Sequence, residues 1–160
     1  MNNEAQFMEL IGQHRGIILK LTGLYATDAE DLADMYQDIL MQAWKAFPSY
    51  RGEAKFSTWL YRVCLNTLLS ARRKKQLPVT GLDHHSESLS ASAPANRSEE
   101  IQRLHTAIRT LSPTDRAIIS LHLDGYDNGE IATLMGISNN NAGVKLHRIK
   151  NQLASMLKNL

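Results

Sequence analysis

The chemistry this sequence is best equipped for is holding a polyanion. FSTWLYRVCLNTLLSARRKK, Phe56 to Lys75, places aromatics near its start and four consecutive cations, Arg72 to Lys75, at its end. It contains no acid, in a chain whose formal net charge is only +2. Lys55 and Arg62 extend the same run, so residues 54–75 carry six cations. A second basic run closes the chain, where Lys145, Arg148, Lys150 and Lys158 follow Ile131 without an acid. Acids gather elsewhere: Asp28, Glu30, Asp31, Asp34 and Asp38 make five within residues 28–38, with no Lys or Arg among them. Two separated basic surfaces and one acidic surface point to a polyanion gripped at two places and a basic partner met at a third. Solvated helix faces account for any one such run, but less comfortably for three segregated ones.

Covalent and metal chemistry find little to work with. There is no Gly-rich phosphate loop and no convincing nucleophile–base arrangement. His84 and His85 are adjacent, His14, His105, His122 and His147 are scattered, and Cys64 is the one cysteine. Neither a metal site nor a catalytic residue nor a cofactor is expected from these, and Cys64 reads as a small core residue. A lone cysteine allows no internal disulfide, and the start MNNEAQFMEL is too polar for a secretion signal. No apolar run approaches the roughly 18 residues of a membrane span. A cytoplasmic protein without membrane insertion is the expectation, and no small-molecule substrate is implied.

The elements that must position these residues are helical. The fold class expected for the 160 residues is all-α, two small helical domains joined by a flexible linker. A first helix is predicted from about Glu4 to Leu24. A second starts near Asp28 and ends before Pro48, with Leu32, Met35, Tyr36, Ile39, Ala43 and Phe47 as its apolar stripe. After the loop PSYRGEAK, Ser57 reads as the N-cap of a third helix, with Phe56 and Tyr61 as a hydrophobic staple. Trp59, Leu60, Val63, Cys64, Thr67, Leu68 and Ala71 are its expected inward face. LPVTGLDHHSESLSASAPANRS, with five serines and two prolines, has linker composition. The predicted domains are therefore residues 1–76 and 99–160, with 77–98 between them.

Punctuation in the second domain is sharp. Ser112-Pro113 marks a helix start running to about Leu123. Asp127 with Glu130 is a capping-box pattern for a short helix from Asn128 to Met135, which Gly136 ends. Ser138 can cap the helix that follows, and the whole is a helix-turn-helix candidate. In that last helix Ala142, Leu146, Ile149 and Leu153 face the core. Asn139, Asn140, Asn141, Val144, Lys145 and Arg148 then project outward, a face suited to the DNA major groove. The same spacing also describes a solubilised surface helix.

The third helix sets Arg62, Asn66, Ser70 and Arg73 outward. Its terminal cations also complement the helix dipole, although one or two would suffice. Tyr50, in the loop before it, fits beside a basic helix as a platform for single-stranded or locally opened nucleic acid. On the second helix Leu40, Met41 and Trp44 lie off the main stripe, beside Asp34, Gln37 and Asp38. An apolar strip bordered by carboxylates suits a basic protein surface; a broad core face with solvated acids is the plainer reading.

These segments resemble a known family. DMYQDILMQAWKAFPSYRGEAKFSTWLYRVCLNTLLSARRKK is similar to region 2, and LSPTDRAIISLHLDGYDNGEIATLMGISNNNAGVKLHRIKNQL to region 4, of the extracytoplasmic-function (ECF) group of sigma-70 RNA polymerase sigma factors. The two segments cover roughly two-thirds of the chain in the family's order. The resemblance implies a subunit that binds core RNA polymerase (β′ and β subunits), recognises promoter −10 and −35 elements and starts transcription. It implies core-polymerase contacts at Asp34, Gln37, Asp38, Met41 and Trp44, in the register fixed by Gln37 and Trp44 rather than the one starting at Asp31-Leu32. It implies −10 contacts at Tyr50, Lys55, Phe56, Ser57, Thr58, Trp59, Tyr61, Arg62, Asn66, Arg72 and Arg73, with a base of the opened strand lodged against the loop. It implies −35 contacts at Ser138, Asn139, Asn140, Asn141, Val144, Lys145 and Arg148, and an anti-sigma factor as a further partner. Ala142 stands where the family commonly has a larger branched residue, and Gly129 falls inside a helix. The first leads us to expect a more loosely packed recognition helix, and the second a cost of about 0.5–1 kcal/mol relative to alanine in the helix before it.

Two other classes remain open at this point. A stand-alone helix-turn-helix regulator explains residues 111–153 but leaves the acidic helix and aromatic loop idle. An enzyme lacks a recognisable site.

Overall fold

The apolar spacing is realised as helix in a computed structural model of the protein. The structure describes residues 3–76 and 98–158, without the side chains of 72–76, and no strand occurs among them. The chain divides into two compact units, Met1–Ala91 and Ser92–Leu160. Apart from Ser98, the expected linker lies outside the described residues.

In the first unit α1 (Asn3–Tyr25), α2 (Ala29–Ala46) and α3 (Phe56–Gln76) pack pairwise against one another. Helix α2 starts near Asp28 as expected, and Asp28 caps it, accepting from the Asp31 N–H. The expected stripe of α2 is buried at Met35, Ile39, Ala43 and Phe47, with Leu32 and Tyr36 half-buried. Ile18, Leu21, Tyr25, Ile39, Leu60, Tyr61 and Leu68 form the fully enclosed centre. A 3₁₀ turn, Phe47–Ser49, follows α2, where Pro48 supplies the fixed φ that such a turn needs.

Helix α3 differs from expectation at its start and on its inner face. The Trp59 N–H donates to the Lys55 carbonyl at 3.0 Å, so α3 begins at Phe56 and Ser57 lies inside its first turn rather than capping it. Phe56 is drawn into the helix because its ring is buried, at 6% exposure, among other aromatics. A staple in which Phe56 precedes the cap is therefore not formed. The buried residues of α3 are Phe56, Leu60, Tyr61, Cys64, Leu65 and Leu68, while Trp59, Val63, Thr67 and Ala71 are half-buried. The inner face is rotated towards Tyr61 and Leu65 because α3 is flanked by both α1 and α2.

The second unit holds α4 (Glu99–Arg109), α5 (Pro113–Leu123), α6 (Asn128–Met135) and α7 (Asn139–Lys158). Ser98 caps α4, a helix the sequence reading did not delimit. Ser112 caps α5, and Asp127 and Glu130 complete the capping box of α6. The glycine required after α6 is Gly136, at φ 70° in the left-handed region, where a side chain would be strained. Ala142, Leu146, Ile149 and Leu153 are all buried, as expected. No helix among the described residues is long and apolar enough to cross a membrane.

Candidate protein and nucleic-acid interfaces

Helix α2 carries the candidate protein-binding strip. Asp34, Gln37 and Asp38 are exposed. Beside them Met41 and Trp44 are 55% and 45% exposed, so apolar surface borders the acids. Trp44 is nonetheless anchored, its ring edge-on to Phe7 of α1 with centroids 5.1 Å apart. Asp31 behaves differently from Asp34. Its carboxylate accepts from the Thr27 N–H at 2.9 Å and the Thr27 hydroxyl at 3.2 Å, so it closes the α1–α2 turn.

The loop between α2 and α3 is tied down from within. Ser49 donates its hydroxyl to the Ala46 carbonyl at 2.6 Å, and the Tyr50 hydroxyl donates to the Ala54 carbonyl at 2.8 Å. Gly52 takes a φ of 76°, letting the chain turn back towards α3. The rings form a continuous cluster. Phe47 lies 5.2 Å from Phe7, 6.2 Å from Tyr50 and 6.2 Å from Trp59, and Tyr50 and Trp59 are 5.3 Å apart. Phe56 touches Tyr50 at 5.7 Å and Trp59 at 5.3 Å.

This cluster sorts the expected −10 residues. Tyr50 and Trp59 are half-buried, each with part of its surface available. Lys55, Arg62 and Asn66 are exposed, and Ser57 and Thr58 half-buried. Phe56 and Tyr61, also expected there, are 6% and 1% exposed, so little of either side chain is open to a strand in this structure. Phe56 supports the loop, and Tyr61 packs in the helix core with Lys20 Nζ 5.5 Å from its ring centre. Arg72 and Arg73 lie in α3, but their side chains are outside the described set. Phe7 was missed in the sequence; it is an isolated aromatic on α1, and its partners are some forty positions away.

In the second unit Asn139, Asn140, Asn141, Val144 and Arg148 are exposed on α7 and Lys145 is half-buried. The Ser138 hydroxyl accepts from the Asn141 N–H at 3.1 Å, so Ser138 is occupied as the N-cap. The loose packing expected at Ala142 is not found. Ala142 is 1% exposed, and a Cβ placed on the neighbouring Gly143 would meet the Asn128 side chain at 3.4 Å. Small residues here let α7 approach the start of α6 closely. Among the described residues no three His, Cys, Asp or Glu side chains converge as a metal site would require.

Comparison with known proteins fits this arrangement. Residues 10–77 match sigma-70 region 2 and residues 101–153 match sigma-70 region 4. The ECF RNA polymerase sigma-E factor of Escherichia coli K12 is 30% identical over 147 residues, covering 83% of this chain and 76% of that protein. The ECF RNA polymerase sigma factor SigM of Mycobacterium tuberculosis H37Rv is 26% identical over 153 residues, covering 94% of this chain and 76% of that one. The sigma factor RpoE of Bartonella quintana, solved in complex with the anti-sigma factor NepR, shares the fold at a TM-score of 0.68 and 20% identity, over 97% of this chain and 96% of that one. With two helical units in which α2 bears an exposed acidic-apolar strip and α7 an exposed polar face, the chain belongs to the ECF group of the sigma-70 family, alternative sigma factors that direct transcription initiation.

Proposed function

We propose that three surfaces divide the work of initiation. The α2 strip of Asp34, Gln37, Asp38, Met41 and Trp44 docks core RNA polymerase, its carboxylates meeting basic side chains and Trp44 supplying the apolar anchor. Tyr50 and Trp59, with Lys55, Ser57, Thr58, Arg62, Asn66, Arg72 and Arg73, hold the opened strand of the −10 element. Cations position the backbone there, while the aromatic loop accepts unstacked bases. Asn139, Asn140, Asn141, Val144, Lys145 and Arg148 read the −35 element as duplex, with Ser138 fixing the start of their helix.

The observation that carries this reading is the exposure of Trp44 beside Asp34 and Asp38, because an anchored aromatic in an acidic frame repels DNA and suits a protein. The functional division follows residues 1–76 and 99–160, with 77–98 as tether. Tethering two weak DNA contacts raises their effective concentration, and the polymerase sets their spacing. On this reading the chain targets RNA synthesis and the polymerase catalyses it, in the cytoplasm where both meet DNA. An anti-sigma factor is a further partner; Bartonella quintana RpoE and CnrH were each solved with such a protein or with the cytosolic domain of CnrY.

Footprinting of the reconstituted holoenzyme tests the assignment. Lys145→Ala and Arg148→Ala are expected to weaken upstream protection while downstream protection persists. Footprints identical to wild type would remove both residues from the −35 surface.

A further inference from the structure

Sulfur is divided unevenly between the inside and the outside of this chain. Cys64, the one thiol, is fully buried in the first unit and so shielded from oxidants. Met35 of α2 is only 5% exposed. In the second unit Met135 and Met156 are half-buried, and the Met156 sulfur accepts the Thr110 hydroxyl at 3.4 Å. Met8 and Met41 differ from these, at 62% and 55% exposed. Met8 lies on α1, outside the three surfaces assigned to partners. Met41 lies within one of them. Gln37 and Asp38 stand four and three residues before it on α2 and Trp44 three after, so all four share a helix face. An open thioether thus sits in the middle of the docking strip.

We propose that Met41 is a reversible oxidation site, at which a hydroperoxide makes the sulfoxide and so turns off docking to core polymerase. The proposal rests on the reading that the α2 strip binds the polymerase; its new content is that the state of one sulfur controls that binding. With hydrogen peroxide, a thioether lone pair attacks one peroxide oxygen. An S–O bond forms and the O–O bond breaks. The transferred oxygen gives its proton to the departing hydroxide, which leaves as water. Sulfur is oxidised by two electrons and the peroxide is reduced by two. A neutral peroxide suits the site, because the exposed carboxylates of Asp34 and Asp38 disfavour anionic oxidants such as hypochlorite. The product carries a polar, chiral group where the strip offers an apolar one, and docking then buries that group without a matched partner. Methionine sulfoxide reductases reverse the change, with a dithiol as electron donor and water as product. Core polymerase covers the strip in the holoenzyme, so the free chain is the sensitive form.

The test treats the full chain with hydrogen peroxide, removes the oxidant with catalase, and then measures affinity for untreated core polymerase. Peptide mass spectrometry locates the added oxygen, and circular dichroism checks that the helices persist. Wild type is expected to take up oxygen at Met41 and Met8. It should then bind core polymerase about tenfold more weakly or worse, the effect of one unmatched polar group in an interface. Methionine sulfoxide reductases with dithiothreitol should restore the affinity. Met8→Leu should respond to peroxide as wild type does. Met41→Leu should show one affinity before and after treatment, and Met41→Gln a low affinity that peroxide does not change. In holoenzyme assembled before treatment, Met41 should stay reduced while Met8 is oxidised. The proposal fails if Met41 of the free chain stays reduced while Met8 is oxidised, if oxidised Met41 leaves the affinity intact, or if Met41→Leu loses affinity as wild type does. In each case the strip reading stands as long as Asp34→Lys with Asp38→Lys abolishes binding. If that double variant binds normally, the strip reading fails and the proposal with it.

Discussion

The ring of Trp44 meets that of Phe7 edge-on, with centroids 5.1 Å apart, and Phe7 in turn meets Phe47 at 5.2 Å. Two surfaces assigned to different partners, the α2 strip and the aromatic loop, thus stand on one buried ring. Phe7→Ala removes a side chain only 5% exposed and should cost about 3–5 kcal/mol of stability. Trp44→Ala gives up an aromatic contact of about 0.5–1.5 kcal/mol plus some burial, yet should abolish most core-polymerase binding. Thermal melts read beside pull-downs with core enzyme separate the two; equal stability losses with equal binding losses would contradict the assigned roles.

The acids of α2 should divide in the same way. Asp34→Lys with Asp38→Lys is expected to eliminate co-purification with core polymerase while circular dichroism stays helical, because both side chains are exposed. Asp31→Ala should do the reverse. It loses the acceptor of two Thr27 hydrogen bonds, costing about 1 kcal/mol, and leaves polymerase affinity near wild type. Retention of the double-lysine variant on core enzyme would remove the strip from the interface.

The helix-turn-helix offers a matched pair of glycines. At Gly129, which is helical and whose Cβ would meet nothing closer than Asp127 Oδ1 at 3.4 Å, alanine should stabilise by about 0.4–1 kcal/mol. At Gly136, held at φ 70°, alanine should destabilise by about 1 kcal/mol or more. Ala142→Leu forces a larger group into a 1%-exposed position and should cost about 1–3 kcal/mol. Denaturant melts of the three variants check the signs.

Burial pushes the Cys64 thiol from its ordinary 9.0 up to about 12, a backbone hydrogen bond acting more weakly in the other direction. The folded value lies above the unfolded one, so the thiol's contribution to stability is present below pH 9.0 and lost progressively as pH rises towards about 12. Wild type should therefore lose stability relative to Cys64→Ala over that window. Below it, a thiolate-selective reagent should label Cys64 only after unfolding; rapid labelling of the native protein would contradict the burial.

Legibility in the sequence followed how decisively the residues repeat. In α7 four apolar positions stand among Asn, Lys and Arg, and all four were read as core correctly. Capping signals at Ser112, Asp127 and Ser138 worked because each cap is made within three residues. Helix α3 resisted: Phe56, Trp59, Leu60, Tyr61, Val63, Cys64 and Leu65 are apolar nearly all round, so periodicity could not choose an inner face that two neighbours define. The aromatic cluster was hidden for a related reason. Nothing local connects Phe7 to Trp44 and Phe47. The strip at Asp34–Trp44 showed as pattern, whereas the Thr27 contacts of Asp31 did not.

The most direct measurement is transcription by purified core polymerase plus this chain on fragmented genomic DNA, with start sites mapped. The account predicts initiation at a discrete set of sites, each preceded by two conserved short elements at constant spacing, and loss of all of them with the Asp34→Lys, Asp38→Lys variant. Start sites unchanged by adding the chain, or sites sharing no such pair of elements, would contradict it.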